Sequence, residues 1–513
     1  MSWTPAFIDA LSNPRGIVLY KLERVEVYAE PGSAWSVGSI AGIATECRIA
    51  VKGVTLQGQS VNPRGPWTTT IGGFSVDLAG DLDALAAITK GSIVALYVGF
   101  SGMTLPEFQR VAIGQVVNLT GVAPKFQLQV RDLFSSFRCR LTTAATGVLF
   151  SGLSSTTLTA TAAVGDATYT VADTSGFKRE TGGHGLILVT PASGTAYFRE
   201  WDASSSTTFT IYQPATAGLI GTTDIGAASG DVVTEVAYLS GHPLDLARKV
   251  LASRGSGLNG AYDTLPIRWG IGVDNSLIDH DDIDAWKLIA QVTPGMSFTY
   301  DWALAMVAEQ TDALTWLAGH LSSAGFVLCM RQGCITVRAA QSSLAATAYP
   351  NSIEITDADI IEVESYEAFD SRFDVEYQAV EITTSQGGPS ASTLTDAATL
   401  PQAEYYPVDV SDKVFGSQAY NQVPIKAEML VRLEETATKV PERLVLRCAG
   451  RRLAQTAPLD TVRLTTTRVQ SRRDGKAGFN LRRCLIDEAS ADWTRGEVRV
   501  ALLVFPESDA VFA

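Results

Sequence analysis

Apolar and polar residues alternate along Phe74-Ser75-Val76-Asp77-Leu78 and again along Phe126-Gln127-Leu128-Gln129-Val130-Arg131. Successive strand side chains point to opposite faces, so this period of two predicts strands with one buried face. Ser92–Phe100 and Val111–Leu119 are more continuously apolar, as in strands covered on both faces. Asp81–Lys90 has room for one short helix, with Leu82, Leu85 and Ile88 at i, i+3 and i+6. Residues 1–140 thus read as a first β domain.

Between 141 and 237 the texture changes. Only 11 of the 96 residues from 141 to 236 are charged, against 18% overall, and Ser, Thr, Gly and Ala dominate. Short strands are expected at Ala167–Val171, Gly185–Val189 and Thr207–Tyr212, divided by turn residues. Tyr169, Phe177, Phe198, Trp201, Phe209 and Tyr212 can supply a core, so the segment reads as a small β module rather than a linker.

From 238 to 345 the apolar spacing becomes helical. Pro243 suits a first helical turn, Leu244, Ala247, Val250 and Leu251 repeat on one face, and Gly255 supplies a stop. Further helices are expected over Asp282–Val292 and Asp312–Ser323, followed by a hairpin over 325–339.

In the last part, 346–513, strands return at Thr461–Thr467, Leu481–Ala489 and Glu497–Phe505. One helix is expected near 439–455. Pro441 opens it, Val445, Ala449 and Leu453 form one i, i+4 stripe, and Arg443, Arg447 and Arg451 form another. The Ser/Thr/Gly-rich stretch 380–405 reads as a long exposed loop. The closing strands of the first part start near 92, 110 and 126, and those of the last part near 460, 481 and 497. That spacing suggests an internal repeat.

At roughly 150 residues per domain, 513 residues make three or four domains. A hydrophobic fraction of 46% excludes a disordered or collagen-like chain. The net charge of -14 argues against sequence-specific duplex binding, which needs a basic footprint. Charge is uneven, however: residues 439–483 hold 12 Lys/Arg against 3 Asp/Glu. That stretch is either a basic surface for an acidic partner or nucleic acid, or a face neutralised within the chain.

Six cysteines, at 47, 139, 329, 334, 448 and 484, form no CxxC pair, which fits folding in a reducing cytoplasm. No basic n-region precedes an apolar core at the start, so no secretory signal is expected, and no run of about 18 apolar residues reads as a membrane span. Gly255-Ser256-Gly257-Leu258-Asn259-Gly260 matches GxGxxG, but a helix precedes it where a nucleotide site needs a strand, so it reads as a turn. The acidic run Asp279-His280-Asp281-Asp282-Ile283-Asp284 offers ligands for a hard cation, or a helix N-cap; the cap is the simpler reading. No HExxH, GxSxG or GxxxxGK[ST] motif occurs. No catalytic, cofactor or metal residues are assigned.

Several stretches resemble one family. Trp67–Leu78, Gly91–Phe100, Gly114–Val117 and Phe126–Asp132 are similar to the first domain of bacteriophage tail-tip (baseplate) hub proteins. Gly165–Phe177 is similar to a small β module of phage tail proteins. Pro243–Leu251, Leu258–Pro266 and Asp312–Leu317 resemble the helical connector of tail proteins from long-tailed phages. The resemblance implies a mainly β fold with α+β parts: two tail-tube-like β domains, over 1–140 and 346–513, a small inserted module over 141–237, and a helical connector over 238–345. It implies a homotrimer at the distal end of the tail, with no catalytic residues. Some relatives carry a cysteine-bound iron–sulfur cluster, but the spread cysteines here do not match that pattern, so no cofactor is expected. Expected partners are the tail-tube or distal tail protein, the tape-measure protein, tip or fibre proteins, and DNA in passage without sequence-specific binding. The expected location is the virion tail tip, after assembly in the host cytoplasm. Arg443, Arg447 and Arg451 are the candidate assembly-interface residues. Two other readings remain: a receptor- or glycan-binding tail protein using Trp201 or Tyr212, and a cell-wall hydrolase.

Overall fold

Seven strands near the start of the chain make the first of two similar sheets. The computed structural model describes residues 3–11, 18–22, 25–29, 49–61, 69–70, 72–80, 85–86, 88–100, 103–137, 142–143, 154–179, 184–212, 225–253, 269–292, 302–306, 312–323, 326–339, 353–368, 373–381, 390–395, 404–409, 442–471, 475, 477–493 and 495–504. Helix α1 (Pro5–Leu11) leads into β1 (Val18–Leu22), β2 (Val25–Ala29), β3 (Ile49–Leu56), β4 (Gln59–Val61), β5 (Thr69–Thr70), β6 (Phe74–Gly80), β7 (Ile93–Phe100), β8 (Gln109–Val122) and β9 (Lys125–Asp132). All but β4 and β5 form one antiparallel sheet in the order β2-β1-β7-β8-β9-β6-β3.

The alternating runs bury one face: Phe74, Val76, Leu78, Phe126, Leu128 and Val130 share a core. The apolar run of β7 is covered on both faces. Val94, Leu96, Val98 and Phe100 enter the sheet's own core, while Ala95 faces a second core built by the helices. Of the short helix expected over 81–90, residues 81–84 and 87 lie outside the described residues, and Leu85 and Ile88 are buried.

The chain continues through β10 (Thr142–Thr143), β11 (Ser155–Thr157), β12 (Thr168–Thr170), β13 (Gly185–Thr190), β14 (Tyr197–Ser204), β15 (Thr208–Ile211) and β16 (Val232–Gly241). Strands β11 to β16 form a sheet around Tyr169, Phe177, Tyr197, Trp201 and Phe209. Next come α2 (Pro243–Ala252), β17 (Trp269–Gly270), α3 (His280–Val292), β18 (Trp302–Met306), α4 (Ala313–Ser323) and the hairpin β19 (Phe326–Arg331)–β20 (Cys334–Ala339). Pro243 occupies the first turn of α2, as its fixed φ favours, and His242 caps it, its Nδ1 accepting from the Leu244 N–H. The stop is Ser253; Gly255 lies outside the described residues. Asp279 caps α3 and Asp312 caps α4, each accepting an N–H in the first turn. Strand β16 serves three partners: residues 232–236 pair with β13, residues 232–234 also with β11, and residues 237–241 with β18.

The last strands are β21 (Glu354–Thr356), β22 (Ile360–Ala368), β23 (Phe373–Glu381), β24 (Ser390–Thr395), β25 (Glu404–Asp409), β26 (Glu442–Ala449), β27 (Thr461–Gln470), β28 (Ala477–Asp492) and β29 (Glu497–Val504). Two expectations fail here. The stretch 380–405 is not simply a loop, because β24 and the end of β23 pair within it in a three-stranded sheet ordered β24-β23-β25. The helix expected at 439–455 is instead strand β26 followed by a 3-10 turn over Arg451–Gln455. Spacings of four suit a strand face as well as a helix face. Leu444, Leu446 and Cys448 point into the core while Arg443 and Arg447 point away.

The second large sheet repeats the first. Leaving out β2, the first runs β1-β7-β8-β9-β6-β3 and the second β21-β27-β28-β29-β26-β22. Numbered along the chain, each is 1-4-5-6-3-2. Only the first strand differs in direction: β1 is antiparallel to β7, and β21 is parallel to β27.

The bulges recur as well. In one copy Val116 pairs with Val130 and then Asn118 with Gln129; in the other Ile486 pairs with Leu502 and then Glu488 with Ala501. A second shared bulge lies between Val51 and Gly53 and between Ile360 and Glu362. A bulge re-aims a strand, so copying it copies the sheet's curvature. The turn entering each meander matches bond for bond. The Gly91 N–H donates to the Val116 carbonyl and the Leu459 N–H to the Ile486 carbonyl, both at 2.8 Å. The Val116 and Ile486 N–H groups donate back to the Ser92 and Asp460 carbonyls, both at 2.9 Å. Gly91 has φ +87° and Leu459 +72°. The repeat suggested by strand spacing is therefore present in topology, register and turns.

Candidate assembly surface

Arg443, Arg447 and Arg451 do not share one helix face. Arg443 and Arg447 lie on the outer face of the second sheet, and Arg451 lies in the turn after β26. The charges of Arg443 and Arg447 meet carboxylates of the same chain. Arg443 reaches Asp487 at 2.7 Å and Glu488 at 3.4 Å; Arg447 bonds Glu362 and reaches Glu497 at 3.4 Å. Arg499, directly opposite Arg447 across the β26–β29 ladder, bonds Glu364 at 2.7 Å and also Glu488. Like charges facing each other across strands repel, and these carboxylates relieve it. Burial pushes the Asp487 carboxyl up, against the pull of Arg443. Arg451 places its guanidinium 5.5 Å from the centre of the Phe100 ring, linking the second repeat to the first. This part of the basic stretch is thus a face neutralised within the chain.

The repeats are joined at a centre that the sequence does not reveal. Trp3 stands between Phe7 and Trp493, with ring centres 5.0 and 6.0 Å away. Its indole N–H donates to the Arg110 carbonyl at 3.2 Å, and its backbone N–H to Gln332 Oε1 at 3.1 Å. Trp3, just before α1, and Phe7 within it therefore tie together the first sheet, the β19–β20 turn and the end of β28. That turn needs left-handed backbone at Gln332 (φ 51°) and Gly333 (φ 71°), the form that matches hairpin twist. Arg338 of β20 bonds Asp282 of α3 and, at 2.7 Å, Asp460 of the second repeat. Burial alone would raise the Asp282 pKa, but the Arg338 charge and the bonds from Arg338 and Thr336 hold it at about 2. The acidic run thus supplies a cap and a buried ion pair, while Asp284 bonds Arg248 at 2.7 Å.

A further joint crosses the repeats. Strand β4, just after β3 of the first sheet, pairs with β28 of the second through Ser60–Glu488 and Gln59–Ala489. The approach is close: a Cβ at Gly58 would lie 3.3 Å from the Ser490 Cβ. Gln59 also accepts the Met330 N–H from the hairpin at 3.3 Å.

Among the described residues, the remaining sequence candidates are buried or already in contact with a partner. Cys329 and Cys334 flank the hairpin turn, both buried, and burial pushes the Cys329 thiol up to about 12. Cys448 is likewise held at about 12, and Cys47, Cys139 and the GxGxxG stretch lie outside the described residues. Trp201, a candidate sugar platform, is only 2% exposed and belongs to the module's core. Tyr212 stacks on His184 with ring centres 3.8 Å apart. Among the described residues no group of three or more His, Cys, Asp or Glu is placed to hold a metal ion, and no helix is long and apolar enough to cross a membrane.

No protein-family model matches the chain. No curated protein matches it either. Among solved structures it is similar to a 43 kDa tail protein of prophage MuSo2 from Shewanella oneidensis, at 10% identity and TM-score 0.36, over 96% of this chain and 99% of that one. It is also similar to a chain of the virion of a native gene transfer agent particle, at 13% identity and TM-score 0.18, over 45% of this chain and 84% of that one. A third likeness, to the Dit hub protein of phage SPP1, has 12% identity and TM-score 0.11, over 43% of this chain and 98% of that one.

Proposed function

We propose that the chain is a structural protein of a bacteriophage tail, acting as the hub where the tail tube meets the tip. The observation that carries this reading is the internal duplication. Each chain holds two sheets of one strand order, with two bulges at matching places. Three chains in a closed ring then offer six similar units. That is how a sixfold tube, which the family resemblance implies, can meet a threefold tip. The ring's lumen would pass DNA and the tape-measure protein. The well-bonded joints between repeats suit this role, since a hub must hold its two units at a fixed angle.

Native mass spectrometry and symmetry-free image averaging of the purified chain test the proposal. A trimeric ring with six similar lobes is expected. A stable monomer at micromolar concentration would overturn it, and a hexamer would replace the hub by a distal tail ring.

A further inference from the structure

Within one chain, the strand after β3 of the first repeat docks on the second repeat. It does so on β28, just past the shared bulge, at Glu488 and Ala489. The same place in the first repeat is Val117–Val122 of β8, counted from the matching bulges at Val116 and Ile486. There the pairing with β7 has ended at Gln115, and among the described residues no strand pairs with that side of β8. Val117 is 39% exposed and Val122 83%. No charged residue occurs from Val111 to Pro124, whereas the covered counterpart, Asp487–Asp492, holds three carboxylates. An open strand edge is a template for strand addition, and proteins ordinarily block it with charge. This edge carries no such charge.

We propose that the open edge of β8 receives a second copy of this chain, through the segment after β22 in that copy. Strand β22 is the counterpart of β3, so the segment after β22 is the counterpart of the β4 arm. In the second repeat that arm is the sheet β24-β23-β25. Its edge strand β24, Ser390–Thr395, carries no charge and suits main-chain pairing. The first repeat's arm is used inside the chain and the second repeat's arm between chains. Each joint leaves the next copy with an open edge, so the contact is head-to-tail and three joints close a ring. The inference rests on the ring reading above and specifies how its subunits are fastened.

Two measurements on the full chain test it. A photo-reactive benzoylphenylalanine replaces Asn118 in an equal mixture of light and nitrogen-15-labelled protein. Illumination after assembly should give mixed light–heavy adducts whose partner peptide lies in β23, β24 or β25. Separately, V117K/V122K should need about tenfold more protein to assemble, the equivalent of roughly 1.4 kcal/mol. Its unfolding midpoint should not move, because both side chains are exposed. If a ring forms but the adducts map elsewhere, or the variant assembles like the parent, the joint is overturned and the ring reading stands. If the parent chain stays monomeric and no mixed adducts form, both fall.

Discussion

Arg338 and Asp282 meet as a two-pronged ion pair in the interior, with Nε to Oδ2 at 2.9 Å and Nη2 to Oδ1 at 3.0 Å. The pair joins the β19–β20 hairpin to α3, and the third prong of Arg338 reaches Asp460 in the second repeat. One guanidinium therefore fixes a helix, a hairpin and a sheet at a single point.

Breaking this pair from one side should cost about 3–5 kcal/mol, because the charge left behind stays buried. Arg338→Met and Asp282→Asn should each lower the urea midpoint strongly. The double variant should cost clearly less than their sum, since each single loss already includes the orphaned partner. Additive losses would mean that the two groups do not act as a pair.

Acid should weaken the protein in two steps. His242 is buried at the start of α2, and desolvation holds its pKa at about 4. The unfolded chain takes up that proton near pH 6.5, so stability is full above about 6.5 and falls as pH drops towards 4. Asp282, at about 2 in the folded state, contributes on the order of 2 kcal/mol above about pH 4, and this is lost as pH falls towards 2. Denaturant midpoints at pH 8, 6, 5 and 3 check both. Asn at 242 keeps a capping group without the imidazole, so His242→Asn should flatten only the upper step.

The β module should be removable. The Glu235 N–H donates to the Ser154 carbonyl at 2.8 Å, so the entrance and exit of the module's sheet are adjacent. Residues 237–241 of β16 pair with β18 and lie outside the excision. Joining 154 to 235 through a short Gly/Ser bridge should leave the rest folded, at small cost in loop closure. Soluble expression and hydrogen exchange in β18 and α2 read the result. Loss of protection in β18 would show that the β11–β16 sheet supports the helices that follow it.

The matched turns make a paired prediction. Gly91 and Leu459 occupy the same left-handed step. An added Cβ at Gly91 meets nothing closer than 4.0 Å, so Gly91→Ala should cost only the backbone penalty, about 1–2 kcal/mol. Leu459→Gly relieves that strain but removes a fully buried side chain, so it should also destabilise, by roughly 1–3 kcal/mol net. Thermal denaturation of both variants checks the signs.

Much of this was legible in the residues. Pro243 and the run after it mark α2, the alternation in 74–78 and 126–131 marks β6 and β9, and the spacing of closing strands points to the repeat. The 442–449 strand was not, because Arg443 and Arg447 stand four apart, a spacing on which helix and strand agree. The β28 joint with β4 was also hidden. Main-chain ladders leave little trace in side chains, and equivalent positions carry unlike residues, as with Asn118 and Glu488. The partners of Arg338 lie 56 and 122 residues away, beyond the reach of any local pattern.

The reversed first strand has its own consequence. Five strands of the two repeats run alike, but β1 and β21 lie beside their meanders in opposite directions. No rotation that superposes the five can align the sixth. A neighbour that touches only the backbone of the shared strands meets two sites of one geometry on every chain. One that touches β1 or β21 meets a site that occurs once. The molecule thus counts in twos on one part of its surface and in ones on another, and a single polypeptide can present two different stoichiometries to two different neighbours.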